Sequence, residues 1–177
     1  MNAGIAGGAD IILIPEIPYD IDKVCESVLK RSESGKNFSI VAVAEGVFDQ
    51  NEAQLKKKER ARLRAEAGIT AQRRITTATN RIAAQIQSKT GLETRTCVPG
   101  HMLRGGSPSA YDRILATQFG VHAAKLISQE KYGRTVAKIG GKITANKLED
   151  IAGKTKFVDP SDQLVKTAKN LGISFGD

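Results

Sequence analysis

The sequence predicts an α/β fold: a three-layer, Rossmann-like parallel or mixed sheet with helices on both faces. Three observations carry that prediction. Ile11-Ile12-Leu13-Ile14 is an unbroken run of large apolar residues, the pattern of a strand buried on both faces of a parallel sheet. Ile21, Val24, Cys25, Val28 and Leu29 then recur at three- and four-residue steps, which outlines one face of a helix. A second apolar run, F-S-I-V-A-V-A at 38–44, follows. Strand, helix and strand with short links make a right-handed βαβ unit.

Taken in order, the opening M-N-A-G-I-A-G-G-A-D reads as the end of a helix packed closely through Ala and Gly. Pro15 ends the first strand, so Glu16 sits at a strand's carboxyl edge, where ligands collect in open α/β sheets. Asp20 opens the helix, and Gly35 stops it. The second strand ends at Glu45-Gly46, where Glu45 is either a second carboxylate at the mouth or a loop residue. Residues 49–89 form the longest polar stretch. Its first part is rich in Lys, Glu, Arg and Ala, a composition that favours helix without packing; it reads as an insertion, helical or partly disordered. A break at Gly68-Ile69 precedes 77–86, where Ile82, Ala83 and Ile86 dock a helix on the sheet.

Residues 93–113 read as a short strand, a Gly- and Pro-rich loop and the start of a helix capped by Ser109 with Asp112 three residues on. The helix continues through Ile114, Leu115, Phe119, Val121, Ala124 and Ile127 to a stop at Tyr132-Gly133. A strand over 135–139, a Gly140-Gly141 turn and 142–144 make a hairpin or twisted edge pair. A short helix at 148–151, another at 162–171 and a loose S-F-G-D end complete the chain.

Composition narrows the classes. At 177 residues, 40% hydrophobic and 26% charged, the chain has ordinary soluble values and suggests one domain. No apolar run approaches the roughly 20 residues that span a bilayer, and no basic-then-apolar leader opens it. This leads us to expect a cytoplasmic protein with no membrane partner. Cys25 and Cys97 lie too far apart in sequence for a metal knuckle or disulfide framework; both are expected to be small buried hydrophobes. The net charge of +8 is concentrated in Lys56, Lys57, Lys58, Arg60, Arg62, Arg64, Arg73 and Arg74. No aromatic is interleaved there for base stacking, so the run reads as a solvated face before it reads as a nucleic-acid site.

The candidate site lies in 93–113. His101 and Arg104, spaced i, i+3 in a Gly-flanked loop, suit a phosphate: imidazole offers an N–H donor in either protonation state, and guanidinium binds phosphate bidentately. The free N–H groups of the following helix would add to it. Glu16 would accept hydrogen bonds from sugar hydroxyls. Arg95, from its residues alone, is a surface cation paired with Glu93. Arg113 and His122 read as structural. No Walker loop, no G-x-G-x-x-G after a strand, no paired-Asp metal motif and no nucleophilic triad appears. A binding half-site is present without catalytic or metal-binding residues.

The blocks A-G-I-A-G-G-A-D-I-I-L-I-P-E-I-P at 3–18, F-S-I-V-A-V-A-E-G at 38–46 and E-T-R-T-C-V-P-G-H-M-L-R-G-G-S-P-S-A-Y-D-R at 93–113 closely resemble the C-terminal half of bacterial-type 6-phosphofructokinases. The resemblance runs from residue 3 to the end. It implies that residues 1–177 are a fructose 6-phosphate-binding domain, with a basic insertion at about 49–75, from a glycolytic kinase that makes fructose 1,6-bisphosphate. It implies that Glu16 contacts the sugar hydroxyls, that His101 and Arg104 hold the 6-phosphate, and that Arg95 reaches that phosphate across a subunit interface of a homo-oligomer, dimer or tetramer. The donor would be MgATP or pyrophosphate, with Mg2+ held mainly by the other half, where the family's donor loop and T-I-D-N-D type motif lie. Pro99 and Leu103 depart from the commonest family wording toward the pyrophosphate or mixed-donor branches. The fragment alone is expected to be inactive. The alternative is a non-catalytic sugar-phosphate or nucleic-acid binding module.

Overall fold

The computed structural model describes residues 1–55, 59, 62 and 71–177, with 71–77 as helix backbone only. The break at Gly68-Ile69 and Lys56, Lys57, Lys58, Arg60 and Arg64 of the basic run fall outside the described residues. Two compact units make up the chain where length alone suggests one: Met1–Val98 with Phe157–Asp177, and Pro99–Lys156.

The first unit is built on two parallel strands, β1 (Ile11–Leu13) and β2 (Val41–Val43), with Ile11 opposite Val41 and Leu13 opposite Val43. Between them runs α2 (Ile21–Glu33), capped by the Asp20 carboxylate, which accepts from the Asp22 N–H at 2.8 Å. Strand alternation sorts β1 into two cores. Ile11 and Leu13 pack with Val24, Cys25 and Val28 of α2 and with Ile82 and Ile86 of α4 (Ala71–Thr90). Ile12 and Ile14 pack with Val165 and Ala168 of α7 (Gln163–Asn170) and with Ile5 of α1 (Asn2–Ala6). Helices therefore cover both faces, as the three-layer reading requires. Each fully buried branched side chain contributes about 1.5–3 kcal/mol. The close Ala/Gly packing at the start is specific: a Cβ on Gly4 would lie 2.7 Å from Ile12 Cδ1.

A short helix, α3 (Gln50–Gln54), is tied to α4 by the Arg81–Glu52 ion pair at 2.9 Å, and Arg81 also donates to the hydroxyl of buried Tyr19 at 3.5 Å. The bond to Glu52 raises the Arg81 guanidinium above its ordinary range, while burial pushes the Tyr19 phenol up.

Several expectations are corrected here. The second strand is only three residues long, because Phe38 and Ile40 remain exposed and the Ile40 N–H is taken by the Asp10 carboxylate at 2.8 Å. Residues 93–98, all described, form no strand; a cavity of about 460 Å³ separates them from β2. The end of the chain is not loose. Ser174 lies beside β1 on the edge away from β2: Ile12 N–H donates to Ser174 O at 2.9 Å, and Ser174 N–H to Asp10 O at 3.0 Å. Phe175 is 1% exposed, and Gly176 leaves no room for a Cβ beside Val24 and Tyr19. Cys25 is buried as expected, but Cys97 is exposed.

The second unit begins with a 3₁₀ turn, Gly100–Arg104, followed by α5 (Ala110–Ser128). The helix stops at Ser128, before the expected Tyr132-Gly133 end, and Glu130 takes a φ of 55°. Strands β3 (Arg134–Ile139) and β4 (Lys142–Lys147) form an antiparallel hairpin of their own. Gly140 and Gly141 at φ 53° and 81° supply the two left-handed positions of a type I′ turn. A four-residue helix, α6 (Leu148–Ile151), follows.

Candidate functional site

Parallel pairing puts the carboxyl ends of β1 and β2 at the same edge, and so brings Glu16 and Glu45 to it. The two ends cross closely: a Cβ on Gly46 would lie 3.1 Å from Pro15 Cγ. Glu16 is half-buried. Its Oε1 accepts the Val158 N–H at 3.0 Å, while its Oε2 is buried with no partner among the described residues. Glu45 is exposed and makes no hydrogen bond or ion pair with a described residue. The edge thus has one carboxylate anchored to backbone and one at liberty. Sequence reasoning raised Glu45 without separating it from a loop residue. No local signal separated it, because the close approach of Gly46 to Pro15 joins two strand ends far apart in the chain. The Val158 contact had no local signal, because it joins residues far apart in the chain.

Arg95 is also in the first unit. Its Nε and Nη2 both approach Glu93 Oε1 at 2.8 Å, and the two side chains are 86% and 71% exposed. An ion pair so open to solvent contributes little, about 0–1 kcal/mol, so either partner can be given up for a better one.

His101 and Arg104 are brought together in the second unit. Both lie on the 3₁₀ turn and both are exposed. A 3₁₀ helix has three residues per turn, so residues i and i+3 stand directly above one another. The imidazole and the guanidinium therefore project from one side. Gly100 at φ 53° and Gly106 at φ 90° let the chain enter and leave this turn in conformations that side chains resist.

The α5 N-terminus carries its own cap. Ser109 and Asp112 form a full capping box: Asp112 N–H donates to Ser109 Oγ at 3.2 Å, and Asp112 Oδ2 accepts from the Ser109 hydroxyl at 2.8 Å and N–H at 3.1 Å. Those bonds, the hydroxyl's first, hold the Asp112 carboxyl below the usual aspartate range. A carboxylate of the chain itself already occupies the positive end of the helix. Arg113 donates to Pro108 O at 3.4 Å, and His122 is half-buried in mid-helix. Among the described residues no group of three or more His, Cys, Asp or Glu side chains is placed to hold a metal ion, and no helix is long and apolar enough to cross a membrane.

A parallel sheet covered on both faces, with carboxylates at its carboxyl edge, defines the α/β class in which ligands bind at strand ends. A family model, phosphofructokinase, matches residues 1–127. The ATP-dependent 6-phosphofructokinase of Spirochaeta thermophila is 46% identical over 177 residues, covering all of this chain and 47% of that protein. ATP-dependent 6-phosphofructokinase 2 of Clostridium perfringens is 43% identical, again over the whole chain and 47% of the relative. Among solved structures, phosphofructokinase from Saccharomyces cerevisiae superposes with a TM-score of 0.63 at 27% identity, over 98% of this chain and 20% of that one. The chain belongs to the phosphofructokinase family and spans about half the length of the curated relatives it matches.

Proposed function

We propose that this chain is the acceptor-binding half of a 6-phosphofructokinase, the C-terminal one, supplying the fructose 6-phosphate site of an enzyme that makes fructose 1,6-bisphosphate. One observation carries this reading: the 3₁₀ turn that stacks His101 over Arg104 on one exposed side, between glycines in left-handed conformations. Such a turn offers a dianion a bidentate guanidinium and an imidazole donor with little reorganisation. Arg95 adds a third cation by exchanging Glu93 for the phosphate, from a neighbouring subunit of a homo-oligomer. Glu16, through its unpartnered Oε2, and Glu45 accept the sugar hydroxyls.

The names of the relatives favour ATP over pyrophosphate as the donor. Mg2+ would be held by the donor phosphates and by the half of the enzyme outside this chain. Its chemistry is to neutralise charge on the transferred group. Residues 49–75 are an insertion relative to the short members of the family, and the assembled enzyme is a cytoplasmic one of glycolysis.

Two experiments test this. In the full-length enzyme, Arg104→Ala should raise KM for fructose 6-phosphate while leaving kcat largely unchanged, as loss of a remote phosphate contact does; unchanged kinetics would assign Arg104 to structure. Reading the flanking coding sequence tests the position of the half. A donor glycine loop and T-I-D-N-D type motif upstream of Met1 support it; finding them downstream would make this the leading half instead.

A further inference from the structure

We infer that Arg81 is a positioning residue for the sugar site: from α4 it clamps the segment that follows Glu45 and so fixes where that carboxylate stands. The inference rests on reading Glu45 as an acceptor of sugar hydroxyls.

Glu45 does not hold itself in place. Glu16 is anchored by the Val158 N–H, but the Glu45 side chain makes no hydrogen bond or ion pair with a described residue. Its direction is therefore set by its backbone. That backbone is a tight turn: Val47 N–H donates to Ala44 O at 3.2 Å, and the buried Val47 side chain anchors the turn in the core. The next residues are stitched to Tyr19 on both sides. Tyr19 N–H donates to Phe48 O at 3.3 Å, and Gln50 N–H donates to Tyr19 O at 3.0 Å, a parallel bridge of Tyr19 with Asp49. Asp49 Oδ1 then accepts the Glu52 N–H at 2.8 Å and caps α3. Residues 44–52 are thus one connected strap from the end of β2 to α3.

Arg81 grips the far end of that strap. Its Nη1 meets Glu52 Oε1 at 2.9 Å and its Nη2 lies 3.4 Å from Oε2, a two-pronged contact that a lysine would not reproduce. The same Nη2 donates to the Tyr19 hydroxyl at 3.5 Å. Tyr19 is fully buried, and burial pushes its phenol up, so the hydroxyl stays a neutral partner. One guanidinium therefore joins α4 to Tyr19, three residues beyond Glu16, and to Glu52, seven residues beyond Glu45. A functional side chain keeps its direction only when the residues behind it are themselves fixed. A second ion pair from α4, Lys89 to Asp22 at 2.6 Å, joins α4 to α2 and touches neither strand-end loop. It separates the clamp from the general docking of α4.

Steady-state kinetics of the full-length enzyme test this. Arg81→Met, which keeps much of the side chain's length without the charge, should raise KM for fructose 6-phosphate roughly 5- to 10-fold while kcat holds. That is less than Glu45→Ala should do, because the charge-assisted contact to the sugar is displaced, not deleted. In a Glu45→Ala background, Arg81→Met should raise KM no further, since two changes that act through one contact do not add. Lys89→Met should leave KM at the wild-type value. Glu52→Gln, a milder change, reads the same grip where Arg81→Met does not fold. Additive effects of Arg81→Met and Glu45→Ala would overturn the inference, as would an equal rise in Lys89→Met, which would make the effect one of α4 docking. A wild-type KM in Arg81→Met, or in its stand-in Glu52→Gln, beside a raised KM in Glu45→Ala would remove the clamp and keep the sugar contact. A wild-type KM in Glu45→Ala would instead remove the sugar role of Glu45, and the clamp with it.

Discussion

Arg104 and His101 reach the same side of one turn, but their contributions differ in kind. A guanidinium–phosphate pair is a charged, two-bond contact worth about 1.5–3 kcal/mol. Arg104→Ala should therefore raise KM for fructose 6-phosphate in the full-length enzyme by roughly 10- to 100-fold, at tenfold per 1.4 kcal/mol. Steady-state kinetics reads that number directly. The two edge carboxylates separate by a different measurement. Glu45 is exposed and makes no hydrogen bond or ion pair with a described residue, so Glu45→Ala should shift stability by no more than about 0.5 kcal/mol while raising KM. Glu16→Ala also strips the acceptor from Val158 N–H, and should lower stability by about 1–3 kcal/mol. Thermal melts beside kinetics decide it: if Glu45→Ala leaves KM alone and only Glu16→Ala raises it, Glu16 is the sole acceptor of the pair. Neither distinction was legible in the sequence. Each depends on a contact between residues that the chain order keeps apart, Pro15 with Gly46 and Glu16 with Val158.

What the sequence made legible at the scale of elements was whatever local chemistry decides. The branched run at 11–14, the three-and-four spacing from Ile21, the Asp20 and Ser109 caps and the Gly140-Gly141 turn each carry their own instruction, and each appears in the structure. The segment at 93–98 and the final residues are settled by partners. Residues 93–98 have β-compatible side chains but stand off from β2, whereas S-F-G-D has weak strand propensity and still lines the far edge of β1. Phe175→Ala should therefore cost about 3–5 kcal/mol, as deletion of a buried aromatic does, and a melt within a degree of wild type would mean the end is loose after all. The α5 cap gives a pH test. The Asp112 carboxyl is held low in the folded state, so its bonds contribute stability that is fully present above the ordinary aspartate range and lost as pH falls through the lowered value. Far-UV circular dichroism should show α5 fraying only below that range, and Asp112→Asn should abolish the acid dependence. Ser109→Ala should cost about 1 kcal/mol at neutral pH.

For the molecule as a whole, the question is whether a chain with acceptor contacts can turn over. Phosphoryl transfer requires donor, metal, base and acceptor hydroxyl to be held in line, and most of the acceleration comes from that alignment and from fixed charges around the transferred group. This chain offers cations on a 3₁₀ turn, carboxylates at a strand edge, and among its described residues no cluster to hold a metal. On the proposal that the donor site belongs to the other half, the second substrate must arrive from solution, and effective molarities of roughly 10⁵–10⁸ M are lost. Binding would survive that loss, because the proposed phosphate contacts do not depend on the donor. The purified chain should therefore bind fructose 6-phosphate weakly in calorimetry, yet form no fructose 1,6-bisphosphate above a no-protein control when MgATP or magnesium pyrophosphate is supplied. Adding the other half should restore turnover, and Arg104→Ala in this chain should raise the KM of the restored enzyme. Product formed by the chain alone would mean that a donor site lies within these residues, and the division of labour between the halves would have to be redrawn.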